Sequence, residues 1–218
     1  MAKRFDLLVF DWDGTLMDST AHIASSLQAA FQDLGLPVPS TENARHVIGL
    51  GLEDAMMYLN PGLDRLRYAE VADRYRVHFL AGDTDVDLFP AVAAGIPALN
   101  QEGYLMAVAT GKSRRGLDRS LSATQLLPYF HASRCADEGF PKPHPEMLQM
   151  IMDMLETVPD RTLMIGDTTH DLQMAHNAGV AAVAVSYGAH MTDDLERMNP
   201  IGCVGSFEQL LQWLKING

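Results

Sequence analysis

Five short strand-like runs, at residues 7–10, 105–109, 132–135, 163–165 and 181–185, all but the short third one apolar, constrain this chain more than any other feature. Runs of this length, bounded by glycine and polar residues, read as strands of a sheet covered on both faces. Amphipathic stretches at 112–121, 146–155 and 171–178 separate the later runs, and a last one spans about 207–214. Alternation of this kind predicts a parallel α/β sheet of Rossmann type, flanked by helices. Met147, Met150 and Met154 recur at helical spacing and are expected to fill core.

One gap breaks the rhythm. Between Asp18 and Pro90 no strand-like run occurs, whereas Ile23, Leu27, Phe31 and Leu34 mark one helical face and Leu66, Tyr75 and Phe79 suggest another. The expectation is an all-helical cap domain over residues 16–87, inserted into an α/β core of residues 1–15 and 88–218. Its hinges fall at 15–18 and in the acidic stretch 82–87, with Pro90 marking the return to the sheet.

In an open parallel sheet, ligands bind at the carboxyl ends of the strands. Asp11 and Asp13 follow the first run, Thr110 the second, Lys142 lies beyond the third, and Asp167 follows the fourth with Asp171 four residues on. If these groups converge, the carboxylates repel: two unit charges about 4 Å apart cost about 4 kcal/mol at an effective dielectric near 20. Cations must sit among them. Carboxylate oxygens suit Mg²⁺, which takes few protein ligands alongside substrate phosphate, and Lys142 would neutralise more of the charge. Asp13 is no part of an EF-hand, because Gly14 stands where that loop needs its fourth residue rather than its sixth. Thr110-Gly111-Lys112-Ser113 is no phosphate-binding P-loop, because Met106 occupies the place of that motif's first glycine.

Composition removes other partners. A net charge of −12 over 218 residues disfavours nucleic acid and anionic membrane, and no apolar stretch approaches the roughly 18 residues of a spanning helix. Two cysteines, Cys135 and Cys203, give no disulfide framework, and with no secretory signal core the expected location is cytoplasmic.

The motifs together resemble the haloacid dehalogenase superfamily of phosphohydrolases. Asp11-Trp12-Asp13-Gly14-Thr15 is similar to its first motif, Thr110 to its second, Lys142 to its third, and Gly166-Asp167-Thr168-Thr169-His170-Asp171 to its fourth. Order, spacing and the helical cap are similar to the phosphoglycolate phosphatase and β-phosphoglucomutase branch. The resemblance implies that Asp11 attacks phosphorus to form an aspartyl-phosphate, that Asp13 exchanges acid and base roles, and that Thr110, Gly111 and Lys142 bind phosphate. It also implies Mg²⁺ held by Asp11, the Asp13 carbonyl, Asp167 and Asp171, and substrate contact by Arg45 beside Gly49-Leu50-Gly51. The implied activity is Mg²⁺-dependent hydrolysis of a small phosphorylated metabolite, phosphoglycolate first, by a monomer or homodimer.

Departures refine this expectation. Asp13 is the aspartate that dehalogenases lack. No Lys occurs between Gly14 and Pro90 to serve the phosphonate-cleaving branch, and Gly111 stands where relatives often carry Asn. The basic run Lys112, Arg114, Arg115 and Arg119 reads as a solvated helix face, Asp18 as a hinge or capping residue, and His170 and His176 as solvated or packed. Two other readings stay open. A β-phosphoglucomutase-like enzyme would return the phosphoryl group to sugar, and a non-enzymatic phospho-receiver switch also combines Asp, Thr and Lys at strand ends.

Overall fold

A computed structural model describes residues 3–82 and 87–218. Six strands, β1 (Leu7–Phe10), β2 (Leu105–Thr110), β3 (Ala132–Cys135), β4 (Thr162–Gly166), β5 (Ala181–Val185) and β6 (Gly202–Val204), form one parallel sheet in the order β3-β2-β1-β4-β5-β6. Strand β1 is central, with Leu7 in register with Leu105 on one side and Thr162 on the other. The chain first extends the sheet through β2 and β3 and then crosses to β4, so the order reverses around β1 and opens a crevice at its carboxyl end.

Alternation along β1 explains why its residues are apolar without interruption. Leu8 and Phe10 face one core, shared with α5 (Val92–Gln101), α6 (Arg114–Ala123) and α10 (Phe207–Asn217); Leu7 and Val9 face the other, shared with α7 (Glu146–Met154), α8 (Thr169–Asn177) and α9 (Thr192–Arg197). Both faces are covered, as a parallel sheet requires. The inserted helices α1 (Thr20–Asp33), α2 (Thr41–His46), α3 (Leu52–Leu59) and α4 (Tyr68–Ala81) close a third apolar cluster around Leu27, Phe31, Met56 and Val71. Where the chain leaves the sheet domain and returns, the two crossings run side by side: Met17 bridges Leu88, the Asp18 N–H donates to Asp87 at 2.9 Å, and the Phe89 N–H donates to Leu16 at 2.9 Å. Of the expected second hinge at 82–87, residues 83–86 lie outside the described residues.

Two expectations of detail change, and two elements were not foreseen. Leu66 is 85% exposed on a short 3₁₀ turn, and the buried face of α4 is made instead by Tyr68, Val71, Ala72 and Phe79. Of the three methionines expected to fill core, Met147, Met150 and Met154, only Met147 is buried; Met154 is 53% exposed, and Leu148, Ile151 and Met152 complete the core face of α7. Helix α5 escapes the periodicity because Gly95 and Pro97 interrupt it. Gly95 has a packing cause, since a Cβ there would lie 2.6 Å from the Phe207 ring of α10. Strand β6 escapes because it is three residues long and begins with glycine. No helix among the described residues is long and apolar enough to cross a membrane.

Candidate active site

The carboxyl ends of β1 and β4 bring together the acidic groups that the sequence separates by more than 150 residues. Asp11 leaves β1, its N–H donating to the Ile165 carbonyl at 2.9 Å, and Asp167 leaves β4 beside it. Asp171 sits in the first turn of α8, where a capping box fixes it: the Thr168 hydroxyl accepts from the Asp171 N–H, and the Thr168 N–H donates to the Asp171 carboxylate at 3.1 Å. Oxygens of Asp11, Asp167 and Asp171 all lie within 4.8 Å of one another, and all three residues are buried.

Among the described residues a single ammonium reaches this group. Lys142, fully buried, donates to Asp11 at 2.7 Å and to Asp171 at 2.6 Å. Burial would lower its pKa, but the two carboxylates outweigh burial and hold it above the ordinary lysine value. Burial pushes the Asp11 carboxyl up to about 7, opposed by Lys142 and reinforced by Asp171 and Asp13. Burial likewise raises Asp167, with Asp11 and Asp171 adding to it, against hydrogen bonds from the Ala189 N–H at 2.7 Å and the Thr15 hydroxyl at 2.8 Å. Three carboxylates facing one ammonium are therefore short of positive charge. One oxygen, Asp11 Oδ2, is buried with no hydrogen-bond partner. An orphaned carboxylate oxygen in an all-oxygen donor set fits a hard divalent cation.

Asp13 does not join the three-carboxylate group. Its carboxylate accepts from Lys112 Nζ at 2.9 Å on each oxygen and from the Ser19 hydroxyl at 2.7 Å. The turn that follows Asp13 requires Gly14: its φ is +86°, and a Cβ there would lie 2.1 Å from an Asp167 oxygen. Thr110 is buried at the end of β2, where its hydroxyl accepts from the Lys112 N–H at 3.1 Å. Gly111 has a cause that sequence alone does not disclose. A Cβ at 111 would lie 2.8 Å from the Gly49 carbonyl oxygen of the inserted helical segment, so the segment's backbone occupies the space an asparagine would need.

A cavity of about 710 Å³ opens over these groups, between the sheet and the inserted helices. Asp11, Asp13, Thr110 and Gly111 form its floor. The basic run is not simply a solvated face: Lys112, Arg115 and Arg119 line the cavity, and Lys112 also lies over the Phe79 ring at 4.9 Å. Only Arg114 turns away, to pair with Glu138 at 2.8 Å. Lysine two residues past Thr110 was the signal that reading the run as one helix face obscured, because α6 begins only at Arg114.

Arg45 lies elsewhere. Its guanidinium donates to the carbonyls of Gly188 and Ala189, and it does not line the cavity. It belongs to a seam holding α2 to the core, in which the His46 carbonyl accepts from His170 Nε2 at 2.8 Å and His190 Nε2 at 3.0 Å. The reading of His170 as packed holds, and His176 is exposed on α8. Burial lowers the pKa of His170, and pushes His190 down to about 4 with help from His170. Sequence reasoning also gave no role in the site to Thr15, Thr168 and Ser19, which orient the carboxylates.

Comparison with known proteins agrees with this geometry. The model of the haloacid dehalogenase-like hydrolases matches residues 8–185. A probable phosphatase, IndB, of Dickeya dadantii is 37% identical, the match covering 94% of this chain and 91% of that protein. A phosphoglycolate phosphatase of Vibrio parahaemolyticus is 28% identical, covering 97% of this chain and 96% of its own. Among solved structures, a hydrolase from Pseudomonas syringae superposes with a TM-score of 0.89 at 19% identity, over 96% of this chain and 97% of its own. A predicted phosphoglycolate phosphatase from Haemophilus somnus gives 0.84 at 25% identity, over 97% and 99%.

Proposed function

Because the chain belongs to the haloacid dehalogenase-like hydrolase family and is a phosphatase, we propose that it hydrolyses a small phosphate monoester through an aspartyl-phosphate on Asp11, with Mg²⁺ as cofactor. The single observation that carries this reading is the buried Asp11 oxygen without a partner, on a residue that also forms the cavity floor. An unpartnered carboxylate oxygen is a nucleophile or a metal ligand in waiting, and the two uses draw on the two oxygens of one side chain.

In this reading an Asp11 oxygen attacks phosphorus as the ester P–O bond breaks, and Asp13 gives the leaving alkoxide its proton. Asp13 then takes a proton from the water that attacks the phosphorus, which frees inorganic phosphate and regenerates Asp11. The 2.7 Å hydrogen bond from Ser19 and the ion pair with Lys112 supply the fixed orientation that such a shuttle needs. Lys142 neutralises Asp11 and Asp171, and Thr110 with the backbone at Gly111 would hold phosphoryl oxygens. The carboxylates of Asp11, Asp167 and Asp171, with the Asp13 backbone carbonyl, would hold Mg²⁺, which when bound offsets charge on the transferring phosphoryl group. Residues 16–87 act as a cap that restricts water at the floor. In a chain of net charge −12, Lys112, Arg115 and Arg119 around one cavity favour entry of an anion.

The relatives' names put 2-phosphoglycolate first among esters to try. Release of inorganic phosphate from phosphate monoesters tests the reading. Mg²⁺-dependent release by the wild-type protein, lost in Asp11→Asn, is expected; release that survives Asp11→Asn in pure protein would refute it.

A further inference from the structure

The cavity above Asp11 and Asp13 is larger and more apolar than the reaction at its floor requires. It measures about 710 Å³. A two-carbon acid ester such as 2-phosphoglycolate has about nine non-hydrogen atoms, and even at a water molecule's share of about 30 Å³ each they fill less than half of it. The surplus is walled by apolar side chains of the inserted helices, among them Ile23 and Leu27 of α1, Met56 of α3, and Val71, Phe79 and Leu80 of α4. Among the described residues these helices contribute one charged group to the wall, Arg76, which is paired with Asp73. None of these six side chains offers a hydrogen bond to a carboxylate or a hydroxyl, and among the described residues Tyr75 and Arg76 of α4 are the two side chains of the helical wall that could, so a small hydrophilic alcohol would leave most of that wall against water and forgo the gain from covering it.

We propose that the alcohol portion of the substrate is a bulky, mainly apolar body, an aromatic ring or an aliphatic chain of about six carbons, seated against α1, α3 and α4. The proposal rests on the phosphatase reading above and gives it a substrate class. Selectivity then comes from the wall and not from the phosphate end, which every monoester shares. Each methylene moved from water onto the wall strengthens transition-state binding up to about fourfold. Four added methylenes therefore raise kcat/KM by about thirtyfold or more, after part of the gain is lost to ordering the chain.

The test measures kcat/KM of the wild-type protein with Mg²⁺ on ethyl, butyl and hexyl phosphate, whose leaving groups match in acidity, and on 2-phosphoglycolate. The expected result is a rise of about thirtyfold from ethyl to hexyl, with 2-phosphoglycolate at the low end. A flat or falling series, or 2-phosphoglycolate above hexyl phosphate, overturns the proposal and leaves the phosphatase reading standing. No phosphate from any ester overturns both. Ile23→Ser and Leu80→Ser, at positions that are not fully buried, are expected to lower the hexyl-to-ethyl ratio several-fold in folded protein. An unchanged ratio in both variants also overturns the proposal.

Discussion

Ionising Asp11 costs the fold free energy, and that cost is measurable without any substrate. Burial raises its carboxyl from 3.8 to about 7. Between those two values the folded state holds a proton that the unfolded chain has released. Stability from this group is therefore fully present below pH 4 and is lost as pH rises through 7, at up to about 1.4 kcal/mol per pH unit. Asp11→Asn removes the titration while keeping the side chain's shape and an acceptor for Lys142. Urea unfolding of both proteins in chelator should show the variant gaining on the wild type by up to about 3 kcal/mol between pH 5 and pH 8. Mg²⁺ at pH 8 should then stabilise the wild type more than the variant, because the cation supplies the charge that Asp11 lacks. A stability difference that stays constant from pH 5 to pH 8 would refute the argument, since the Asp11 carboxyl would then titrate alike in folded and unfolded protein.

Other perturbations test other parts of the site. Asp13→Asn should lower kcat by about 10²–10⁴-fold in steady-state assays while the protein still binds phosphate, because it removes proton transfer and not the phosphate-holding groups. Lys142→Met leaves the buried carboxylates of Asp11 and Asp171 without their ammonium, and denaturant unfolding without metal should show a loss of about 3–5 kcal/mol at neutral pH. Gly111→Asn places a side chain where the Gly49 backbone lies; thermal and urea unfolding should show a loss of about 1–3 kcal/mol. Removing divalent metal with a chelator should abolish phosphate release, and restoring Mg²⁺ should recover it in a coupled phosphate assay.

The sheet was legible because a parallel strand buried on both faces must be largely apolar, and four of six strands announce themselves that way; β3, the edge strand Ala-Ser-Arg-Cys, does so only in part. β6 did not, since three residues at a sheet edge need no such run. The insertion was legible from the gap in the strand rhythm, although Leu66 does not share the face that its apolar side chain suggests: single apolar residues near a helix start carry little directional information. Asp11, Lys142, Asp167 and Asp171 were readable because each sits just past a strand or in the next turn, and the sheet order then brings them together. Thr168 could have been found from its spacing to Asp171, which is that of a capping box. Gly111 and Arg45 could not, because what fixes them is the approach of the inserted segment to loops far away along the chain.

The aspartyl-phosphate on Asp11 is the claim on which the chemistry turns, and it can be trapped. Protein quenched during turnover is reduced with borohydride, which converts an acyl phosphate to the corresponding alcohol, and its peptides are mapped by mass spectrometry. The account predicts homoserine at position 11 and at no other aspartate. Homoserine at position 13, or full turnover with position 11 unmodified, would contradict it.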